Sequence, residues 1–332
     1  MATKAMMNNI MLNLNTNIQQ EMRLFMDYSE ECTLTIQQLK NTRIKETMKK
    51  PNLNENEEDN TQLLIEPKNI KPIKITPTEQ KHTIAIDASV IRIADSAKGT
   101  VIALRGAIIH RSNNIKVEII GPMIRFISYE GMTTITNIET TIKTELKIFE
   151  RLIQHYAATK NKNAIILLDH SLTITPDKPG NLLIDILENA RNNSNIVMAF
   201  SKDSGIILSG KTLFSIDANA EPPFIIDLTD SIKYKTTTLR LAGSTYLSRL
   251  SKQMFPYRVD VYPRTAALHG FGSLILSDAL IYGYPETLSI AHSMCSFTWL
   301  DVVGLQRALV KDTSAILIDE PECRTAILSP FS

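Results

Sequence analysis

The sequence predicts an α/β fold, a mixed sheet flanked by helices, with a helical extension in front of it. Three observations carry that reading. Ile/Val-rich runs at residues 83–93, 100–110 and 115–120 are separated only by the turn signals Ser96-Ala97-Lys98-Gly99 and Ser112-Asn113-Asn114, the pattern of consecutive antiparallel strands. Helical and strand patterns then alternate, as in α/β sheets. Two of the apolar runs, Thr83-Ile84-Ala85-Ile86 and Ala164-Ile165-Ile166-Leu167-Leu168, end on an aspartate followed by a small or turn-forming residue and a serine.

Residues 1–48 read as an amphipathic helical extension. Met11, Leu12, Leu14, Ile18, Met22, Leu24, Phe25 and Met26 recur at helical spacing, and Leu34, Ile36 and Leu39 continue the stripe. Residues 49–80 read as a linker, polar and acidic over 49–60 and then broken by Pro67, Pro72 and Pro77. The main domain spans residues 81–325. After the three strands, a helix over 137–158 carries Ile142, Leu146, Phe149, Leu152, Ile153 and Tyr156 on one side. A strand at 164–169, a helix at 180–193 and a strand at 195–200 complete a β-β-β-α-β-α-β order, that of the ribonuclease H-like fold. Short strands at 206–208, 224–227 and 258–262 follow, with a helix at 243–254. The last helix starts after Gly283-Tyr284-Pro285 and runs to about 297, before a final strand Ala315–Asp319.

The composition bounds the function classes. The chain has 332 residues, is 43% hydrophobic and carries a net charge of +1. That is enough for one large or two modest domains, and a near-neutral balance is compatible with a local nucleic-acid-binding face. No apolar run approaches the ~20 residues of a membrane span, and no secretory signal is expected. Cys32, Cys295 and Cys323 are scattered, which argues against a disulfide framework or a cysteine zinc site and suits a reducing cytoplasm.

A carboxylate at the end of a buried strand is costly unless a cation or hydrogen-bond donors meet it. Asp87 and Asp169, on strands placed to be neighbours, make a candidate divalent-cation site. Phosphodiester hydrolysis uses two such cations about 3.5–4 Å apart. Mg²⁺ and Mn²⁺ take carboxylate oxygens, with an imidazole for Mn²⁺. The first helix offers Glu150, with Glu145 as second choice, and the last helix offers His292. His170 beside Asp169 could reach a metal, but reads first as a turn residue pointing at solvent.

The motifs Ile86-Asp87-Ala88-Ser89, Leu168-Asp169-His170-Ser171-Leu172, Phe200-Ser201-Lys202-Asp203-Ser204, Tyr257-Arg258-Val259-Asp260-Val261-Tyr262-Pro263 and Gly283-Tyr284-Pro285 with Ala291-His292 resemble, in order, those of the NurA nucleases. The family pattern has glycine where this chain has Ala88 and His170. The resemblance covers about residues 83–320. It implies a metal-dependent DNA nuclease that digests from the 5′ end during end resection for recombination. Asp87, Glu150 and Asp169 would bind Mn²⁺ or Mg²⁺, with His292 a further ligand or a proton-transfer group. Lys202 would sit near the scissile phosphate and Tyr284 would position the DNA strand. It further implies a homodimer working with a hexameric HerA-type ATPase.

Two other patterns need a reading. Between 231 and 265, Lys233, Lys235, Arg240, Arg249, Lys252, Arg258 and Arg264 interleave with Tyr234, Tyr246, Phe255, Tyr257 and Tyr262. Phosphate contacts from Arg258 and Arg264 with base stacking would make a single-stranded DNA path; the alternative is a solvated basic face over an ordinary core. Gly205 to Thr212 matches the nucleotide-loop pattern Gly-x4-Gly-Lys-Thr letter for letter. A phosphate cradle needs an open loop entering a helix, whereas Ile206, Ile207 and Leu208 read as a strand. The rival functions are therefore a non-catalytic DNA-binding or ATPase-docking subunit and, more remotely, a nucleotide hydrolase using Lys211.

Overall fold

A computed structural model of the chain describes residues 37, 39–40, 43–46, 63–65, 71–130, 135–175, 177–201, 206–208, 211–212, 220–233, 240–252, 256–313 and 316–318. Among them, one large sheet contains β1 (Arg43–Glu46), β2 (Ile73–Lys74), β3 (Thr83–Ser96), β4 (Gly99–Arg111), β5 (Ile115–Ser128), β6 (Ile165–Leu168), β7 (Ile196–Ser201), β8 (Phe224–Asp227), β9 (Ser244–Arg249), β10 (Tyr257–Tyr262) and β11 (Ile316–Ile318). The helices are α1 (Ile135–Lys160), α2 (Lys178–Asn192), α3 (Ala267–Ser277), α4 (Glu286–Cys295) and α5 (Trp299–Thr313).

β3, β4 and β5 form the antiparallel meander. The other edge of β3 is shared. Its first half pairs parallel with β6, from Thr83↔Ile165 to Ile86↔Leu168, and β6 pairs parallel with β7. This is the ribonuclease H-like order read from the sequence. Beyond β7 the sheet continues antiparallel through β10, β9, β8 and β2. The last residues of β3 pair instead with β1, Ile44↔Ser96, and β1 pairs with β11.

Period-two alternation divides the core between the two faces. Ile84, Ile86, Ile102 and Leu104 pack with Phe149 and Ile153 of α1 and Leu183 and Ile186 of α2. Ala85, Ala107, Ile109 and Leu167 pack with Phe271 and Leu274 of α3 and Leu288 and Ala291 of α4. A third cluster joins Leu39, Ile91, Ile93, Val101 and Ala103 to Val302 and Leu309 of α5. Helix α2 starts where its sequence says it should: the Asp177 carboxylate accepts from Gly180 N at 2.9 Å, and proline stands in the first turn. α1 lies close to the sheet because residue 106 is glycine. A Cβ there would fall 2.1 Å from Ile153 Cδ1, and Ile153 is itself fully buried.

Several expectations are corrected. The helix expected at 243–254 is strand β9, hydrogen-bonded on both edges to β8 and β10. A short apolar-polar run does not distinguish the two states, and sheet pairing decides. Helices α3 and α5 were not foreseen, and β5 runs to Ser128, beyond the expected end at 120. The tail of the expected N-terminal helix is strand β1, and Leu39 is buried in the third cluster; residues 1–36 lie outside the described residues. The expected linker contains β2 and a short strand Leu63–Ile65. β3 runs to Ser96, beyond the expected end at 93, so Asp87 lies inside the strand rather than at its end. What ends near Asp87 is the pairing with β6.

Ile206–Leu208 and Lys211–Thr212 form an antiparallel hairpin, Leu208↔Lys211, so Ile206, Ile207 and Leu208 of the Gly-x4-Gly-Lys-Thr pattern lie in a strand rather than in an open phosphate loop. The run Glu286–Thr313 is long and apolar enough by composition to pass for a membrane span. In the fold it is two helices of 10 and 15 residues, broken at 296–298, and each buries a face on the sheet.

His82 and His110 stack at 5.2 Å between ring centroids, with His110 Nδ1 3.2 Å from His82 Nε2. Burial lowers both pKa values, and at His110 the Glu118 carboxylate opposes that shift while His82 and Lys116 add to it. The folded pair is held neutral, whereas unfolded histidines protonate near about 6.5. The stabilisation is present above that pH and is lost as pH falls through the folded values. Urea midpoints measured between about pH 7.5 and 5.5 should fall on acidification, and less steeply in the His82→Gln/His110→Gln double variant. Gly106→Val should lower unfolding free energy by about 1–3 kcal/mol through overpacking against Ile153, measured by urea denaturation; an unchanged midpoint would show that α1 does not need the close approach.

Candidate metal centre

The register of β3 and β6 sets the site. Ile86 pairs with Leu168, so the residue that follows each of them is an aspartate, Asp87 in β3 and Asp169 just past the end of β6. Past Ile86 the edge of β3 has no partner strand among the described residues until β1 reaches it at Ala94. Helix α4 lies on the sheet face that carries the Asp87 side chain, with Leu288 and Ala291 packed against Ala85 and Ala107. His292 Nδ1 lies 2.8 Å from Asp87 Oδ2, and Asp87 Oδ1 accepts the Ala88 N–H at 2.8 Å. Ligand atoms of Asp87, Asp169 and His292 all lie within 4.8 Å of one another. Asp87 is buried, Asp169 is half-buried and His292 is exposed, so the group opens to solvent on the histidine side.

α4 is fixed at both ends. At its C-terminus the Ser89 hydroxyl donates to the Cys295 carbonyl. Ser89 is two residues after Asp87 in the same strand and therefore on the same face, which gives the Asp-x-Ser motif a physical meaning: one residue is the candidate ligand and the other pins the helix that carries the histidine. At its N-terminus, Arg111 of β4 reaches Glu286 at 2.6 Å and the buried Asp278 at 3.1 Å, and Asp278 Oδ2 lies 3.4 Å from the Thr287 N–H. Burial raises the pKa of Asp278, opposed by the Thr287 contacts and Arg111.

Tyr284 enters through a two-residue hairpin. Tyr282 and Gly283 both have positive φ, 52° and 82°, as a type I′ turn requires and as glycine accommodates. The turn drives Tyr284 into the core, where its hydroxyl donates to Asp169 Oδ1 at 2.8 Å. Burial first, and then the neighbouring Asp169, raise its pKa far above the ordinary tyrosine value, so it stays a donor. Cys295 sits in the same pocket. Burial raises its thiol pKa, and the carboxylates of Asp87 and Glu150 both add to the shift.

Of the helix glutamates, Glu145 pairs with Arg125 at 2.8 Å and Glu139 with Arg92 at 3.1 Å. Glu150 alone of the three is turned to the site side. It is buried, its Oε1 accepts from Gln154 Nε2 at 2.7 Å, and its Oε2 lies 3.4 Å from His170 Nε2. His170, expected to point at solvent, is half exposed but directed at Glu150. Sequence reasoning passed over Gln154, Ser89 and Cys295. The four-residue spacing of Glu150 and Gln154 was a visible signal, since such pairs share a helix face.

Lys202 lies outside the described residues. Arg258, expected on a DNA-facing surface, is a correction: it is 2% exposed, with Nε 3.1 Å and Nη2 2.9 Å from the Asp260 carboxylate. Asp260 also accepts from Thr245 Oγ1 at 2.7 Å and from the Leu172 N–H at 3.0 Å, which ties the turn after Asp169 to β10. Arg264 is exposed but paired with Asp230 and Asp227 at 3.0 and 3.4 Å. Tyr284, also expected at the DNA, is buried behind Asp169. The interleaved aromatics that are described belong to the core rather than to a stacking surface: Tyr246 lies edge-on to Phe271 at 5.7 Å, and Tyr257 packs on Tyr284 at 5.6 Å. Lys235, Tyr234 and Phe255 fall outside the described residues.

The donor set fits a hard divalent cation: two carboxylates and an imidazole converge, with a hydrogen-bond donor orienting one carboxylate.

No protein-family model matches the chain, and no curated protein sequence matches it significantly. Among solved structures, the NurA nuclease from Sulfolobus solfataricus is 14% identical, with 90% of this chain and 98% of that chain covered, at a TM-score of 0.46. A NurA structure bound to dAMP and manganese is 9% identical, with 73% of this chain and 90% of that chain covered, at a TM-score of 0.50. At these identities the likeness is one of fold: the chain has a NurA-like fold.

Breaking a buried ion pair by removing one partner costs about 3–5 kcal/mol. Arg258→Ala should therefore lose that much stability in urea denaturation. A variant of wild-type stability with weakened DNA binding would return Arg258 to the surface role.

Proposed function

We propose that the protein is a metal-dependent DNA nuclease that hydrolyses phosphodiester bonds. The observation that carries this is the convergence of Asp87, Asp169 and His292 on one point at the end of a parallel strand pair. The manganese and dAMP named for the NurA structure of like fold support Mn²⁺ as cation and a nucleic acid as substrate. Bound there, a divalent cation supplies Lewis-acid stabilisation of phosphate charge and water activation at neutral pH.

The chain's own residues do the rest. Asp87 and Asp169 hold the cation, with Glu150 beside them. The Tyr284 hydroxyl orients Asp169. His292, on the solvent side, completes the ligand set or moves a proton at Nε2 while Nδ1 faces Asp87. Lys202, which the motif resemblance assigns to the scissile phosphate, would stabilise developing charge there. The motif order extends the reading to 5′ end resection in the cytoplasm, a homodimer and a HerA-type hexameric ATPase as partner.

Purified protein should digest end-labelled single- and double-stranded DNA with Mn²⁺ or Mg²⁺ and not with EDTA. Asp169→Ala and Asp87→Ala should each reduce cleavage by more than about 100-fold while circular dichroism stays unchanged. DNA retention with no digestion in any metal would make the chain a non-catalytic DNA-binding subunit, and retained cleavage by Asp87→Ala would sink the assignment.

A further inference from the structure

His170 stands directly after Asp169, where the NurA motif that the chain resembles has glycine. Its Nε2 lies 3.4 Å from Oε2 of the buried Glu150, whose other oxygen is taken up by Gln154 at 2.7 Å. Donor atoms about 3 Å apart have the spacing of adjacent ligands on one cation with bonds of about 2.1 Å. Neither residue belongs to the converging Asp87, Asp169 and His292 group. The two sets adjoin, because His170 follows Asp169 in the chain and because Asp87 and Glu150 both act on the Cys295 thiol. His170 is half exposed, so the pair is open to an entering ion.

We infer that His170 and Glu150 form a second cation-binding pair beside the Asp87, Asp169 and His292 group, and that the imidazole selects Mn²⁺ over Mg²⁺ at that position. Imidazole nitrogen suits transition-metal ions, whereas Mg²⁺ holds to oxygen ligands and water. A glycine at 170 would leave Glu150 to bind through oxygen alone. This inference rests on the metal-centre reading above and adds a ligand to it.

The test is Mn²⁺ binding to the full chain, by titration calorimetry with free Mn²⁺ counted by electron paramagnetic resonance. The wild-type chain should bind two Mn²⁺. His170→Ala and His170→Gly should bind one Mn²⁺ as before and the second at least about 10-fold more weakly, with Mg²⁺ binding unchanged. His170→Gln, which keeps a hydrogen-bond donor for Glu150 but offers no imidazole nitrogen, should lose the second Mn²⁺ as well and decides the matter if the smaller variants do not fold. A single Mn²⁺ on the wild-type chain, or unchanged stoichiometry and affinity in a folded His170 variant, overturns the inference and leaves His170 a salt-bridge partner of Glu150. No Mn²⁺ on the wild-type chain overturns the metal centre itself.

Discussion

Two carboxylates held side by side by a parallel strand pair are the constraint on which the rest of the site depends. The pairing of Ile86 with Leu168 leaves Asp87 and Asp169 no freedom to separate. Like charges at that spacing, partly withdrawn from water, repel, and they need cations or donors. The chain meets them from one side: the Ala88 N–H and His292 on Asp87, and the Tyr284 hydroxyl on Asp169. Both side-chain partners arrive on α4 or on the hairpin just before it. The contacts that clamp α4 to β3 and β4 therefore serve the carboxylate pair as much as they serve packing.

β3 changes neighbours along one edge. It gives four residues of that edge to β6 and its last three to β1, and between them stand Asp87 and Ser89, whose side chains meet α4. On the opposite face, Gly106 lets α1 approach closely enough for Ile153 and Phe149 to fill the core. Glu150 is the residue after Phe149 and is carried in with it. One carboxylate is thus set by register, and another by the depth at which a helix seats.

Much of this was legible in the sequence because local pattern and tertiary role agree there. The meander, the two alternating helix-strand units and the helix after Gly283-Tyr284-Pro285 lie where periodicity and turn residues put them. The aspartates were legible because a charge closing an apolar run has few structural uses. What was not legible depends on pairing between distant segments. Ser244–Arg249 becomes a strand only because β8 and β10 flank it, and Arg43–Glu46 only because β3 and β11 do. Arg258 misled for a related reason. A basic residue among tyrosines fits a DNA path or a buried ion pair equally well, and its partner two residues on, Asp260, decides for the latter only once β10 is known to be a central strand. The hydrogen bond from Leu172 to that same carboxylate then turns a surface residue of the reading into a support of the Asp169 turn.

The departures from the glycine-containing motif can be weighed in the same terms. A glycine is demanded where φ is positive or where a Cβ would collide. Neither Ala88 nor His170 has positive φ: among the described residues only Asn163, Ser194 and Tyr282 do so without being glycine. Ala88 lies inside a continuous strand, where alanine is the better residue, and it packs against the first core cluster. Its presence removes a freedom the backbone does not use. His170 also adopts an ordinary backbone conformation, but its side chain lands against Glu150. At one position the glycine supplied only smallness, which the strand does not need. At the other its replacement adds a nitrogen donor next to a buried carboxylate, so the change alters what the turn carries rather than how it folds.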